Sequence, residues 1–323
     1  MLDRARAHRR LLIVSSFACI WLVWGSTFLT IRHVIHTIPP VLMCSLRLLS
    51  GGLLLGLYGF ATDALTPRGV EWRNAALVGV LLPGLGNLSV TFGVAHVHSG
   101  LVALLVGTIP LWMALLGSFG SRATPPGPRA AFGLLLGFAG IAWLVAPGLM
   151  SPDGTREFGR HPVWILVPVA GSLSWAWGSL FSRRVAMPSS GVMSTAVGLT
   201  AAGTLQLLVA WGVGDVAHWQ PAAVPWTAWA GLGWLVVFGS VLGFGSYLYL
   251  LRRVRPAIVA TYAFVNPIVA MVLGWAFGGE VLGPRTLAAA AVVLAAVVLI
   301  TTAPPPAPAP NAAAGLDARA LGR

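Results

Sequence analysis

Side chains able to make or break bonds are few in this sequence, and they are not gathered. The eight acidic residues, at 3, 63, 71, 153, 157, 215, 280 and 317, are scattered without the paired carboxylates or His–acid motif that an enzyme would need. All twenty of the lysine-plus-arginine residues are arginine. Without lysine the chain has no Walker A loop for ATP phosphates and no Schiff base to retinal or pyridoxal phosphate. Cys19 and Cys44 sit inside apolar runs and read as small core residues, not a disulfide. His33, His36, His96 and His98 show no convergent metal-ligand spacing, so neither metal nor cofactor is assigned.

What remains suits holding a molecule. Arg47 lies deep in an apolar run, where a guanidinium costs at least about 2.5–3.5 kcal/mol on insertion scales. It must face other protein and find carbonyls, water or an anion. Ser26, Ser179, Tyr247, Tyr262 and Asn266 are further cavity candidates, and Tyr262 stands one helical turn before Asn266. Asn87 and Gln206 read as packing bonds between helices, worth about 0.6 kcal/mol each. Trp24, Trp112 and Trp177 lie deeper than the interfacial tryptophans and offer an aromatic lining.

The elements that carry these residues are membrane helices. The chain is 57% hydrophobic and 9% charged, against roughly a quarter charged in soluble domains. Its apolar runs have the length needed to cross about 30 Å of hydrocarbon. Ten spans are predicted near 11–31, 38–61, 75–96, 98–119, 129–147, 162–183, 190–214, 226–250, 256–278 and 284–303. Fifteen arginines then fall on the side of the termini and four on the other side, with Arg47 inside a span. That asymmetry predicts both termini in the cytoplasm and Arg156 and Arg160 outside. The net charge of +12 thus reports orientation, and no nucleic-acid partner is expected. Residues 304–323, rich in proline and alanine, are predicted to be a disordered cytoplasmic tail.

The spans repeat. Trp24-Gly25-Ser26-Thr27-Phe28 recurs as Trp177-Gly178-Ser179-Leu180-Phe181 at an offset of 153. Val102-Ala103, Pro110 and Leu116-Gly117 recur as Val259-Ala260, Pro267 and Leu273-Gly274 at an offset of 157. A five-span unit is odd, so its second copy enters the membrane from the opposite side. The expected fold is therefore an all-α membrane protein, ten transmembrane helices as two inverted five-helix repeats. Pro110 and Pro267 predict paired broken helices at mid-membrane, because each removes a helical N–H.

Together these features resemble the EamA-type family of the drug/metabolite transporter superfamily. The carriers are the two Trp-Gly-Ser motifs, Arg47, Asn266-Pro267 and Glu280-Val281-Leu282-Gly283. The resemblance implies EamA-like repeats at 11–147 and 162–303 and a central cavity between them. It also implies an inner-membrane permease or exporter. Two departures stand out: the offset from Glu280 lands on Ala123, and Arg47 has no basic partner in the seventh span. Glu280, close to Pro284, is expected to cap the last span or to act as a gate.

The expected function is secondary transport of a small neutral or zwitterionic, amino-acid-like metabolite by alternating access, in the direction of export. A proton gradient is the candidate driving force, and the protein is expected as monomer or homodimer. Small multidrug relatives bind cations through a carboxylate in their first span, and residues 11–31 hold none. The alternatives are a nucleotide-sugar or organophosphate carrier, which would want several cavity arginines, and a non-transporting scaffold.

Overall fold

The computed structural model describes residues 2–62, 66–119, 126–150, 163–251, 253–254, 259 and 262–303. Arg156, Arg160 and the 304–323 tail lie outside them. The described residues form ten helical spans. The first covers 2–34 and the second Pro40–Ala61; the third covers 70–96 and the fourth 99–117. The fifth is Pro128–Met150, the sixth Val163–Ser182 and the seventh Gly191–Gly212. The eighth covers 226–251, the ninth is Tyr262–Gly278 and the tenth Pro284–Thr301. Large apolar side chains such as Leu57, Phe60, Leu135, Trp211 and Phe277 point outward, as a lipid-facing surface requires.

Glycine contacts show how the halves meet. A Cβ on Gly59 would lie 3.5 Å from Val192, and one on Gly203 would lie 2.7 Å from Leu49 N. The second and seventh spans therefore run antiparallel at close range. Gly133 meets Ala296 and Leu299 of the tenth span while Gly140 meets Val292, so the fifth and tenth also run antiparallel. Gly100 against Met271, and Gly107 against Ala263, place the fourth and ninth spans likewise. Each of these spans packs head-to-tail on its own repeat counterpart, as two inverted five-helix repeats demand. Small residues at these seams let the backbones approach.

Three spans contain π-helical turns: Cys19–Val23 in the first, Val80–Gly84 in the third and Leu235–Leu242 in the eighth. A π-turn loosens the regular carbonyl ladder, and inside a bilayer the freed oxygens need protein donors. The sequence supplies them. Asn266, with its amide nitrogen turned inward, donates to Ile20 O and Trp21 O at 3.0 Å each. Ser174 Oγ donates to Leu81 O, Asn87 Nδ2 to Pro83 O and Gln206 Nε2 to Gly84 O. Trp24 Nε1 donates to Gly239 O at 3.0 Å.

The matched prolines do not break matched helices. The fourth span is interrupted at Gly107-Thr108, just before Pro110. There Leu105 O accepts from Thr108 N as well as from Ser172 Oγ and Thr108 Oγ1. The ninth span instead runs continuously through Pro267. Its oxygen one turn back, Ala263 O, lies against Gly107, where an added Cβ would come within 2.7 Å. Glycine at 107 leaves room for that close approach.

Candidate functional site

The buried centre is an aromatic cluster joining both halves. The Trp24 ring lies 5.3 Å from Tyr262, 5.5 Å from Phe244 and from Tyr247, and 6.2 Å from Trp175. Against it sits a small cavity of about 70 Å³, lined by Trp24, Thr27, Arg47, Asn87, Ser172, Trp175, Phe244, Tyr262, Asn266 and apolar neighbours. Arg47 is 2% exposed. Its Nε donates to Ser240 Oγ at 3.0 Å, within the π-turn of the eighth span. A side chain on Gly239 would come within 2.9 Å of Arg47 Nη2, so glycine is what leaves the guanidinium room. Arg47 Nη1 and Trp175 Nε1 are buried without hydrogen-bond partners among the described residues.

A larger cavity of about 260 Å³ adjoins the small one, and both are lined by Ile109, Phe244 and Tyr262. It extends past Pro110, Ser179, Ser194, Tyr247 and Gly198 to Ala75, Arg183, Met187 and Pro188. Those last residues lie at one end of the bundle, where Arg68, Arg73, Arg129 and Arg184 also stand. Among the described residues, no Asp or Glu lines either cavity.

At the opposite end a buried carboxylate, Glu280, ties the segment after the ninth span to the first and fourth spans. Glu280 Oε1 accepts from Ser99 N at 2.8 Å and its Oε2 from Gly100 N at 3.2 Å. Both donors belong to the first turn of the fourth span, which otherwise lacks partners there. Arg32, at the end of the first span, forms an ion pair with the same carboxylate. The Glu280 side chain has no solvent exposure, whereas Arg32 stays 32% exposed. Burial works to raise the Glu280 pKa, but the Ser99, Gly100 and Arg32 donors outweigh it and hold the carboxyl below its ordinary value. Gly279, with φ of 62°, makes the turn possible.

The EamA-like transporter family model matches residues 11–146 and 162–302. The chain belongs to the EamA-like transporter family. The inner membrane transporter YedA of Escherichia coli K12 is 32% identical over 279 residues, 86% of each chain. The transporter YoaV of Bacillus subtilis is 24% identical, covering 79% of this chain and 85% of its own. Protein PecM of Dickeya dadantii is 26% identical, covering 79% and 80%. One crystal structure shares the fold with a TM-score of 0.60 at 17% identity, covering 92% of this chain and 98% of that one.

In this EamA-like transporter, Trp24, Arg47, Tyr262 and Asn266 meet at the small cavity, and Pro110, Ser179, Tyr247 and Tyr262 line the larger one. The remaining sequence candidates lie elsewhere. Ser26 donates to Val23 O and accepts from Trp234 Nε1. Trp112 packs edge-on against Phe138 at 4.9 Å, and Pro267 packs against Gly107. Trp177 is 57% exposed on the outside of the bundle. Its counterpart Trp24 comes directly after a π-turn, which adds a residue to the first span and rotates the remainder of that helix; the sixth span has no such turn. Trp175 takes the inward place instead. The spacing Gly171, Trp175, Ser179, Ser182 marks that inward face by helical period, a signal that motif matching passes over. Glu280 caps a helix, but it is the fourth span's N-terminus; the tenth begins at Pro284, and its N-cap residue Gly283 offers no side-chain cap.

Proposed function

We propose that this transporter carries a small neutral, zwitterionic or weakly anionic metabolite by alternating access, and that the form described is open to the cytoplasm. The observation that carries this reading is the difference between the ends. The 260 Å³ cavity reaches the arginine-rich end, while the Arg32–Glu280 pair and the capped fourth span close the other. The arginine asymmetry supports a cytoplasmic position for the open end together with both termini. Substrate enters past Arg183 and Met187 and passes Phe244 and Tyr262 to reach the small cavity. Breaking the Glu280 contacts then releases the far end. A resting form that loads from the cytoplasm suits export, and a proton gradient is its candidate driving force. The lack of carboxylates among the residues lining both cavities disfavours cations, since an unpaired buried charge costs several kcal/mol.

The test is counterflow in proteoliposomes preloaded with a neutral amino acid, compared with a quaternary ammonium dye. Saturable exchange of the amino acid is expected. Saturable, proton-driven transport of the dye that survives Arg47→Gln would refute the reading.

A further inference from the structure

The small cavity has an unusual polar balance. Its serine and threonine hydroxyls spend their hydrogens on backbone oxygens: Thr27 on Trp24 O, Ser89 on Gly86 O, and Ser172 on Pro168 O and Leu105 O. Asn87 and Trp24 donate to π-turn carbonyls as well. Two donor atoms of the lining residues, Arg47 Nη1 and Trp175 Nε1, are fully buried and without partners among the described residues. One belongs to a guanidinium with a single side-chain bond, to neutral Ser240. No carboxylate is among the residues lining the cavity. A buried cation with an unfilled donor is costly unless an acceptor, best an anionic one, arrives.

We infer that the small cavity is a carboxylate subsite, in which Arg47 Nη1 and Trp175 Nε1 receive the acid group of the transported solute. This rests on the transport reading above and adds which substrate group is recognised. The two donors come from opposite repeats, Arg47 from the second span and Trp175 from the sixth, so a carboxylate bridging them would also tie the halves together. Arginine is suited to the task because its planar fork matches two carboxylate oxygens. At about 70 Å³ the cavity admits an acid group but not the whole solute. The apolar remainder then lies among Phe244, Tyr262 and Ile109, where the larger cavity begins. Nothing in the lining demands an ammonium group, so the acid is required and the amine is not.

Four probes of one carbon skeleton separate these demands: leucine, 4-methylpentanoate, leucinamide and 3-methylbutylamine. Binding is measured on the purified full chain in nanodiscs by calorimetry. Leucine and 4-methylpentanoate should bind, and leucinamide and 3-methylbutylamine should bind at least about tenfold more weakly, the size of one charge-assisted hydrogen bond. Trp175→Phe keeps the ring and removes the N–H, and should weaken the two acids severalfold without affecting the amines. Arg47→Gln should abolish the preference for acids. Equal binding of acids and amines by the wild type would overturn the subsite, as would failure of both acids to bind. Neither result bears on counterflow of other solutes, so the transport reading is tested separately.

Discussion

One end of the bundle is held by an ionised latch, and the other, built from the same repeat, is not. At the first, Glu280 joins the end of the ninth span to Arg32 of the first and to Ser99 and Gly100 of the fourth. At the second, the residue matching Glu280 by the repeat offset is Ala123. Among the described residues no ion pair stands at that end, and its mouth is lined by Ala75, Arg183, Met187 and Pro188. Inverted repeats with identical ends would favour neither outward nor inward opening. The ends therefore differ in this ion pair, and the 260 Å³ cavity reaches the end without it. The proposed alternating access requires the latch to be breakable within the range that substrate binding can supply.

The largest effect that sharpens this contrast is Glu280→Ala. Removing one partner of a buried, multiply bonded pair costs about 3 kcal/mol. Thermal unfolding of the purified protein should register a loss of that order, with transport impaired. Arg183→Gln, an exposed change at the open end, should stay within about 0.5 kcal/mol. Equal losses from the two would erase the difference between the ends. Gly274→Val comes next. Any side chain at Gly274 runs into the Glu280 carboxylate and would push it off its donors. Overpacking of this kind typically costs about 1–3 kcal/mol. The same substitution at helical Gly233, where nothing lies within 4 Å, should be neutral or slightly stabilising, within about 0.5 kcal/mol. Comparing the two melting temperatures checks whether it is the latch that makes Gly274 sensitive.

Fold and site differ in how far the sequence makes them legible. Span positions, the repeat and the inverted topology come from apolar run lengths, arginine placement and two motif offsets, all of them local or periodic signals. The latch is legible only in part: Glu280 reads as a cap or a gate, but its partners Ser99 and Arg32 are remote from it in the chain. A carboxylate before a helix start reads as that helix's cap when only neighbours are visible. Trp177 is misplaced for a related reason. Motif matching preserves its rank in the repeat, but one π-turn in the first span and none in the sixth gives the two tryptophans different faces. The π-turns carry no residue signature of their own, apart from Pro83 in the third span. Their polar partners, Asn87, Gln206 and Asn266, are visible in the sequence as buried polar residues, but their purpose is not.

Two smaller effects sharpen the same contrast. Because the Glu280 pKa is lowered in the fold, its ionised form contributes stability that is fully present above the unfolded value of 4.5. That contribution is lost as pH falls through the lower folded value. Melting temperature should therefore show no Glu280-dependent change from pH 8 to about pH 5.5, and wild type and Glu280→Gln should converge only at more acidic pH. A Glu280-dependent step near neutrality would mean the latch is not the ionised pair described. Trp177→Leu, on the outside of the sixth span, should change stability by no more than about 0.5 kcal/mol and leave transport intact. Trp175→Leu, on the inner face, should impair transport.

The most direct test of the unequal ends is thiol accessibility in sealed vesicles, with Cys19 and Cys44 replaced by alanine and a single cysteine added. Ser194 lines the large cavity and Ile31 the small one. A membrane-impermeant maleimide should label Ser194→Cys from the cytoplasmic side and leave Ile31→Cys unlabelled from the outside. Adding Glu280→Gln should open Ile31→Cys to outside reagent and slow labelling at Ser194→Cys. Ready labelling of Ile31→Cys from outside with Glu280 intact, or no response of either position to its removal, would contradict a transporter held closed at one end by this carboxylate.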